Sequence, residues 1–559
     1  FFCSSCALRS RLILSTSLWL SFGSKMEGIK STSGMEEEHV DQASYLPSRR
    51  AAAGPANMEA GGYPSESIFT RLASPRGREP DAPSEDPPAQ AGAPVLVMKF
   101  GGSSLATVEH LKRAAEIVKS FLDRRPVLVL SAMGKTTNLL LAAADNALEK
   151  GVDAVDISAI RKVTEAVFEA LKQPMPADIE ALFRELTQIL SGVALVKELS
   201  GRTRDRLVSF GERLSIRTFA AVYNDMMASE KVQAKPVDSW EAGMLTTSGG
   251  GSANSAFSNC EVLPEAYMKL REYFAQFRQN YPFVPVVTGY IAKDPEGFIT
   301  TLGRDGSDLS ATVIGAAVQA SEVQIWKDVS GVMTTDPRLV PAAKPVGVLT
   351  FEEAAELSTF GAKVVHPAAI LPAWIAGVPI SVRNSTEPEH PGTHIVADLG
   401  KDGELRENGV AAMSSKRDIT MIVIRSTRML GQHGFLAHVF QVFNKYEVSV
   451  DVIATSEITV TLTLDRSYKS VDLDALKAEL EEVSQVQVSE KMAMITLIAI
   501  KSLSTTVLRG AFSALNDNGI DVEMVSHGAS NVNVTVVIKD EYFNKATKEL
   551  HARFFEKEK

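Results

Sequence analysis

The chain has 559 residues, a formal net charge of -10, 45% hydrophobic and 23% charged residues. At about 150 residues per domain that length suggests three or four domains, and the composition excludes wholesale disorder. An acidic chain attracts no polyanion, three cysteines cannot build a disulfide framework and point to a reducing compartment, and no apolar run approaches the ~18 residues of a membrane helix.

Residues 1–26 contain no Asp or Glu and carry Arg9, Arg11 and Lys25 among serines. This suits an organelle transit peptide; the apolar stretch Leu12–Phe22 leaves a secretory signal open, and a translated leader before Met26, Met35 or Met58 is a third reading. Cys3 and Cys6 have CxxC spacing but no second pair to complete a zinc site. Asp81–Pro94, rich in Pro and Ala, reads as a linker. No packed structure is expected before Val95.

Val95–Phe100 is an apolar run that predicts a strand, ending in Lys99-Phe100-Gly101-Gly102-Ser103-Ser104. Leu105, Val108, Leu111, Ala115, Val118 and Leu122 then fall on one helical face, with Ser103 or Ser104 available as the cap. A second strand, Val127–Leu130, runs into Ser131-Ala132-Met133-Gly134, which completes a βαβ unit. Two glycines let backbone N–H groups approach an anion, the helix N-terminus adds partial positive charge, and Lys99 adds a full one. The spacing is not that of a Walker A loop. Ala159–Leu171 and Ile179–Val196 are amphipathic packing helices. Val208-Ser209-Phe210-Gly211-Glu212-Arg213 reads as a further charged glycine turn. Val286–Ala292 predicts a strand, Thr300-Thr301-Leu302-Gly303-Arg304-Asp305-Gly306-Ser307-Asp308 a turn, Leu309–Ala320 a helix and Val323–Lys327 a strand ending at Asp328. Charged residues thus gather at strand ends, where open α/β sheets bind ligands.

The order KFGGSS, VSFGER, TLGRDGSD, WKDVSGVMTTDPR and FGAKVVHP resembles the aspartate kinases of the amino-acid kinase family, from about Val95 to the C-terminus. The resemblance implies an open, mostly parallel sheet with helices on both faces over 95–393, a linker at 394–409 and tandem ACT domains over 410–559. It implies transfer of the γ-phosphoryl of ATP to the β-carboxylate of L-aspartate, giving 4-phospho-L-aspartate, the first step toward lysine, threonine, methionine and isoleucine. A carboxylate is already a nucleophile, so the site needs positive charge and no general base. By resemblance Lys99 meets the phosphoryl and the β-carboxylate, and Gly101, Gly102 and Ser103 face phosphate. Ser131 and Ser307 lie at the substrate, Glu212 pairs with its ammonium, Arg304 holds its α-carboxylate, and Asp308 orients Lys99. Lys327, Asp328, Met333, Arg338 and Lys363 line the nucleotide pocket, with Mg²⁺ carried on ATP and few protein ligands. His366, before Pro367, reads as a packed histidine. Many members have glycine where this chain has Asp305, although aspartate there is also familiar in the bifunctional plant enzymes; the extra negative charge is expected to lower affinity for aspartate or ATP without abolishing activity. No dinucleotide fingerprint follows the kinase motifs, so a monofunctional enzyme is expected.

Between 410 and 559 two segments repeat at an offset of about 72 residues. Strand Thr420–Arg425, helix Leu436–Lys445 and strands Val448–Ala454 and Thr459–Leu464 are followed by strand Met494–Ile500, helix Thr506–Asn518 and strands Ile520–Ser526 and Asn533–Ile538. The pattern suggests ferredoxin-like α+β units. These resemble paired ACT domains, about 415–489 and 490–559, with Val410–Ser414 a strand of the second. The cluster STRMLGQHGFLA is similar to the plant lysine-sensitive, monofunctional type. That resemblance places L-lysine among Met429, Phe435, Leu436, Val450, Asp451, Thr455 and Ser456, admits S-adenosylmethionine as a further effector, and implies a homodimer or dimer of dimers in the plastid. A non-catalytic amino-acid sensor and another amino-acid kinase are the competing readings.

Overall fold

A computed structural model describes residues 95–230, 232–248, 259–303, 305–362, 365–399, 409–426, 433–464, 472–499, 504–527 and 533–556. The leader, Cys3, Cys6, Arg304, Lys363 and Met429 lie outside the described residues.

The N-terminal part opens with β1 (Leu96–Phe100), α1 (Val108–Lys119), β2 (Pro126–Leu130) and the helices α2 (Thr136–Lys150), α3 (Ser158–Leu171), α4 (Ala177–Val196) and α5 (Gly201–Met226). It continues with β3 (Gln233–Val237), α6 (Pro264–Gln279), β4 (Phe283–Thr288), the hairpin β5 (Ile291–Lys293) and β6 (Ile299–Thr301), α7 (Gly306–Val318) and β7 (Glu322–Lys327). It closes with β8 (Val348–Thr350), α8 (Phe351–Thr359), α9 (Pro367–Ala376), β9 (Ile380–Asn384) and β10 (Thr393–Val396). Eight strands form one sheet in the order β3-β4-β2-β1-β7-β9-β10-β8, parallel except where β10 meets β9.

β1 and β2 are buried at every position, as continuous apolar strands covered on both faces must be. The alternation of side chains sorts them. Val97, Val129, Val287 and Ile325 pack with α7, α6 and α9, whereas Leu96, Met98, Leu128 and Trp326 pack with α1 and α5. Lys99 therefore shares the face of Val97, beneath α7. The small residues of α7 let it lie close to the sheet: a Cβ on Gly315 would sit 2.4 Å from Val323.

Local details depart from expectation. Thr107, rather than Ser103 or Ser104, caps α1, accepting from the His110 N–H, because Ser103–Leu105 form a separate 3-10 turn. The run 286–292 is broken at Gly289-Tyr290, where Tyr290 takes φ 67°, so it ends β4 and begins β5. The segment 208–213 is no turn at all. It lies inside the 26-residue α5.

The C-terminal part is one six-stranded antiparallel sheet built on two long strands. Its elements are β11 (Val410–Arg425), α10 (Phe435–Lys445), β12 (Val452–Thr455), β13 (Thr459–Leu464), α11 (Leu473–Glu481), β14 (Gln485–Ala499), α12 (Ser504–Asp517), β15 (Met524–His527), β16 (Asn533–Lys539) and α13 (Phe543–Phe555). β11 pairs with β14 from Val410↔Ala499 to Arg425↔Gln485, with irregular register between Arg417 and Met421. One half of this ladder carries β12, β13, α10 and α11 on its own core, including Ile422, Val442, Phe443 and Leu462; the other carries β15, β16, α12 and α13 around Ile495, Leu515, Val536 and Leu550. The strand expected over 448–454 is shorter, since only Val452–Thr455 pairs with β13. Contacts to the N-terminal part are direct: the Met413 N–H donates to the Thr334 carbonyl at 2.7 Å, and Ser414 Oγ donates to the Phe360 carbonyl at 2.8 Å.

Candidate active site

The ends of β1, β2, β4 and β7 converge on three glycine turns. At the end of β1 the Gly101 N–H donates to the Trp326 carbonyl, so this donor is already used and is not offered to phosphate. The Gly102 and Ser103 N–H groups have no acceptor among the described residues. Gly102 is pressed against the β2 turn: a Cβ there would lie 2.8 Å from the Ala132 carbonyl oxygen, and only glycine fits without displacing backbone.

Lys99 is 6% exposed, and its ammonium forms an ion pair with Asp308 in the first turn of α7. Lys327, at the end of β7, reaches the other oxygen of Asp308 at 3.5 Å. Burial pushes the Asp308 carboxyl up, but the two lysines outweigh it and hold the group below the ordinary carboxylate range. Two ammonium groups share one carboxylate, which leaves net positive charge at the strand ends.

Ser131 Oγ donates to Ser307 Oγ at 2.8 Å, tying the β2 turn to α7. Ser307 lines a cavity of about 430 Å³ together with Glu212, Thr137, Tyr290, Asp305 and Gly306. Glu212 is 3% exposed. Its Oε1 accepts from the Ala132 N–H at 3.1 Å, while Oε2 has no hydrogen-bond partner. Burial pushes its carboxyl up to about 8, against the opposing pull of that N–H. A buried carboxylate with an open oxygen is a receptor for a cation. Gly303 and Gly306, which flank Arg304, lie in this cavity wall.

Gly211 sets the position of Glu212. A Cβ at Gly211 would fall 2.8 Å from the Ala132 Cβ. Gly→Ala in a helix gains about 1 kcal/mol of propensity, but overpacking a rigid contact costs about 1–3 kcal/mol. Gly211→Val, which adds still more volume, is therefore expected to lower the melting temperature and to weaken binding of a cationic ligand in the Glu212 cavity several-fold; unchanged thermal melting and binding would show that α5 tolerates the displacement.

The remaining expected residues are more scattered. Asp328 is exposed just beyond β7, Met333 bridges to Pro345, and Arg338 turns outward to Asp336 in an exposed ion pair at 2.6 Å. His366 caps α9, its Nδ1 accepting from the Ala368 N–H. In the C-terminal part, Phe435 and Leu436 open α10, Val450 and Asp451 precede the edge strand β12, Thr455 ends it and Ser456 follows it. Ser456 Oγ closes the β12–β13 turn by accepting from the Thr459 N–H. Asp451 already holds Lys416 Nζ at 3.1 Å. Tyr290 and Thr137 belong to the cavity and were not expected there. Their signals were a bulky residue after Gly289 at a strand end and a Thr pair after Gly134.

Among the described residues no three His, Cys, Asp or Glu side chains converge as a metal site. No described helix is long and apolar enough to cross a membrane.

A mostly parallel sheet with two lysines and free N–H groups at its strand ends, beside a buried cation receptor, defines a protein that brings anions together for group transfer. Residues 94–384 match the amino acid kinase family and residues 505–554 an ACT domain. The chain is 42% identical over 470 residues to the chloroplastic aspartokinase 1 of Arabidopsis thaliana, spanning 82% of this chain and 80% of that protein. It is 35% identical over 470 residues to the lysine-sensitive aspartokinase 3 of Escherichia coli K12, spanning 83% and 99%. Two solved structures of E. coli aspartokinase III superpose at 34% identity over 82% of this chain. The complex with aspartate and ADP gives a TM-score of 0.66 and covers 100% of that chain. The complex with lysine and aspartate gives 0.65 and covers 99%. The chain belongs to the aspartokinases of the amino acid kinase family.

Proposed function

We infer that the chain transfers the γ-phosphoryl of ATP to the β-carboxylate of L-aspartate, the first step toward lysine, threonine, methionine and isoleucine, under feedback control by lysine. The observation that carries this reading is the open oxygen of buried Glu212, in a cavity shared with Ser307 one residue from the Lys99–Asp308–Lys327 cluster. In this proposal the substrate ammonium binds Glu212 and its α-carboxylate binds Arg304. Its β-carboxylate is directed toward Lys99 by Ser131 and Ser307. A β-carboxylate oxygen attacks the γ-phosphorus, the bond to the ADP oxygen breaks, and no proton need move. Lys99, Lys327 and the Gly102 and Ser103 N–H groups carry the charge that develops on the phosphoryl oxygens. Asp308 is taken by two lysines and acts as their orienter, so Mg²⁺ is carried on the nucleotide phosphates. Asp328, Met333, Arg338 and Lys363 are proposed to reach the nucleotide.

Asp305 lies at φ 55°, a left-handed conformation that glycine adopts more readily, and it lines the substrate cavity. Asp305→Gly removes a negative charge near an anionic substrate. The KM for aspartate is expected to fall about threefold, a shift of the size a partly solvated charge gives; an unchanged or higher KM would clear Asp305 of that effect.

The regulatory half is proposed to comprise two interleaved ACT units and to bind lysine at Phe435, Leu436, Val450, Asp451, Thr455 and Ser456, with Met429 beside them. The incoming ammonium would compete with Lys416 for Asp451. S-adenosylmethionine is a second proposed effector. A homodimer or dimer of dimers is proposed, with Leu436, Phe440, Ile453 and Ile458, all exposed, available for a second copy to cover. Because the Arabidopsis relatives are named chloroplastic, a plastid location is proposed, tested by fusing residues 1–94 to a fluorescent protein. The functional test is acyl phosphate formation from ATP and L-aspartate, trapped with hydroxylamine, with and without lysine. Wild type should be active and lysine-inhibited. Asp451→Asn should keep activity and require about tenfold more lysine for inhibition, as expected for a lost ion pair at a half-buried site. Activity indifferent to lysine in wild type would overturn the effector assignment, and no activity would overturn the catalytic one.

A further inference from the structure

Arg202, Arg206 and Arg213, spaced by four and seven, share one stripe of α5, whereas Val208 and Glu212 fall on another. The arginine stripe borders a second cavity, of about 550 Å³, closed by the β5–β6 hairpin and sharing no lining residue with the Glu212 cavity. That volume is in the range of small-molecule sites.

We propose that this cavity binds a small phosphate-bearing metabolite. Four cations line it, Arg202, Arg206, Arg213 and Lys293, against one carboxylate, Glu185, in a chain whose net charge is -10. Glu185 is used twice, by Arg206 at 2.9 Å and by Arg213 at 3.5 Å. The other partner of Arg213, Asp238, is 4.0 Å away and is held by Arg217 at 3.2 Å. Among the described residues Arg202 and Lys293 have no carboxylate partner. They lie instead over aromatic rings, Arg202 3.7 Å from the Phe298 centroid and Lys293 4.7 Å from that of Trp240. These contacts hold the two charges in place without neutralising them. The Nε of Arg213 is buried 4.0 Å from Asp238 and makes no hydrogen bond, so the charge of this guanidinium is only loosely paired. Guanidinium forks match the paired oxygens of a phosphate group, which selects phosphate over a solvated monovalent anion.

The test is calorimetric titration of pyrophosphate into the full chain at constant ionic strength, with a non-hydrolysable ATP analogue saturating the catalytic site, and citrate titrated in parallel. One saturable site for pyrophosphate, tighter than for citrate, is expected. In the double variant Arg202→Glu, Lys293→Glu the affinity should fall about tenfold, as reversal of two partly exposed charges implies, while affinity for the ATP analogue stays unchanged and reports an intact fold. Absence of a saturable site, equal affinity in the double variant, or citrate binding as tightly as pyrophosphate would overturn the proposal.

Discussion

Replacing Lys99 with methionine should lower acyl phosphate formation by about a thousandfold or more, with the chain still folded. Methionine preserves the length and apolar stem of the side chain, so β1 keeps its packing. What disappears is the ammonium buried at the junction of β1 and α7, where the proposed reaction brings the phosphoryl group and the attacking carboxylate together. Preorganised positive charge in a water-excluded site is commonly the largest contribution to phosphoryl transfer. Removing one member of a buried ion pair can cost about 3–5 kcal/mol when the partner is left bare. Here Asp308 retains Lys327 at 3.5 Å, so the loss of stability should be smaller than that. Lys99→Arg separates charge from reach: it keeps the former and should recover only part of the rate. Turnover of Lys99→Met within tenfold of wild type would remove Lys99 from the reaction.

Glu212→Gln should raise the KM for aspartate about a hundredfold, the loss expected when a charged partner is removed from a buried ion pair. It should also erase a pH dependence. In the unliganded enzyme burial lifts the Glu212 carboxyl to about 8, so at neutral pH most molecules carry it protonated. An ammonium binds the ionised form. The kcat/KM for aspartate should therefore rise with unit slope up to about pH 8 and level off, falling only where the substrate ammonium itself deprotonates. Stability runs the other way. The folded chain holds this proton more tightly than the unfolded chain, so the contribution of Glu212 is fully present below the ordinary carboxylate value and is lost as pH rises through 8. Aspartate should restore stability most at the alkaline end, because it pairs with the ionised carboxylate. A flat kcat/KM between pH 6 and 8 in wild type would place the substrate ammonium elsewhere.

How much of this was legible depended on whether a residue's neighbours are local in sequence. Lys99 and Asp308 were legible only together, through the ordered motifs KFGGSS and TLGRDGSD that carry the resemblance; a lysine before two glycines reads by itself as a solvated residue at a tight turn, and the ion pair joining the two residues exists only in the folded sheet. Glu212 was found but misplaced. α5 packs apolar residues on the sheet, through Ile216 and Phe219, and on the helical insert, through Phe210 and Leu214, so it lacks the single stripe that marks an amphipathic helix. Gly211 then read as a turn, whereas it permits the close approach to Ala132. Tyr290 was hidden inside the run 286–292, read as one strand despite Gly289; the chain turns there, with Tyr290 in a left-handed conformation and lining the cavity. The long strands β11 and β14 were read as short ones because their shared ladder slips at Arg417–Met421, and pairing partners about 60–90 residues apart leave no local periodicity. Asp451 was placed by the resemblance alone among the residues expected around the effector. Its partner Lys416 comes from another strand, and that pairing exists only in the folded sheet.

The most direct measurement is ³¹P NMR of the purified enzyme with ATP and Mg²⁺, supplied in turn with L-aspartate, L-glutamate and succinate. Succinate presents the same two carboxylates without the ammonium, and glutamate adds one methylene. With L-aspartate alone an acyl phosphate resonance should grow in step with ADP, and the other two acids should give at most a hundredth of that rate, since the Glu212 pocket has no cation from succinate and a displaced carboxylate from glutamate. Equal phosphorylation of succinate would contradict a site organised around Glu212, and ADP formation without any acyl phosphate would contradict a carboxylate acceptor.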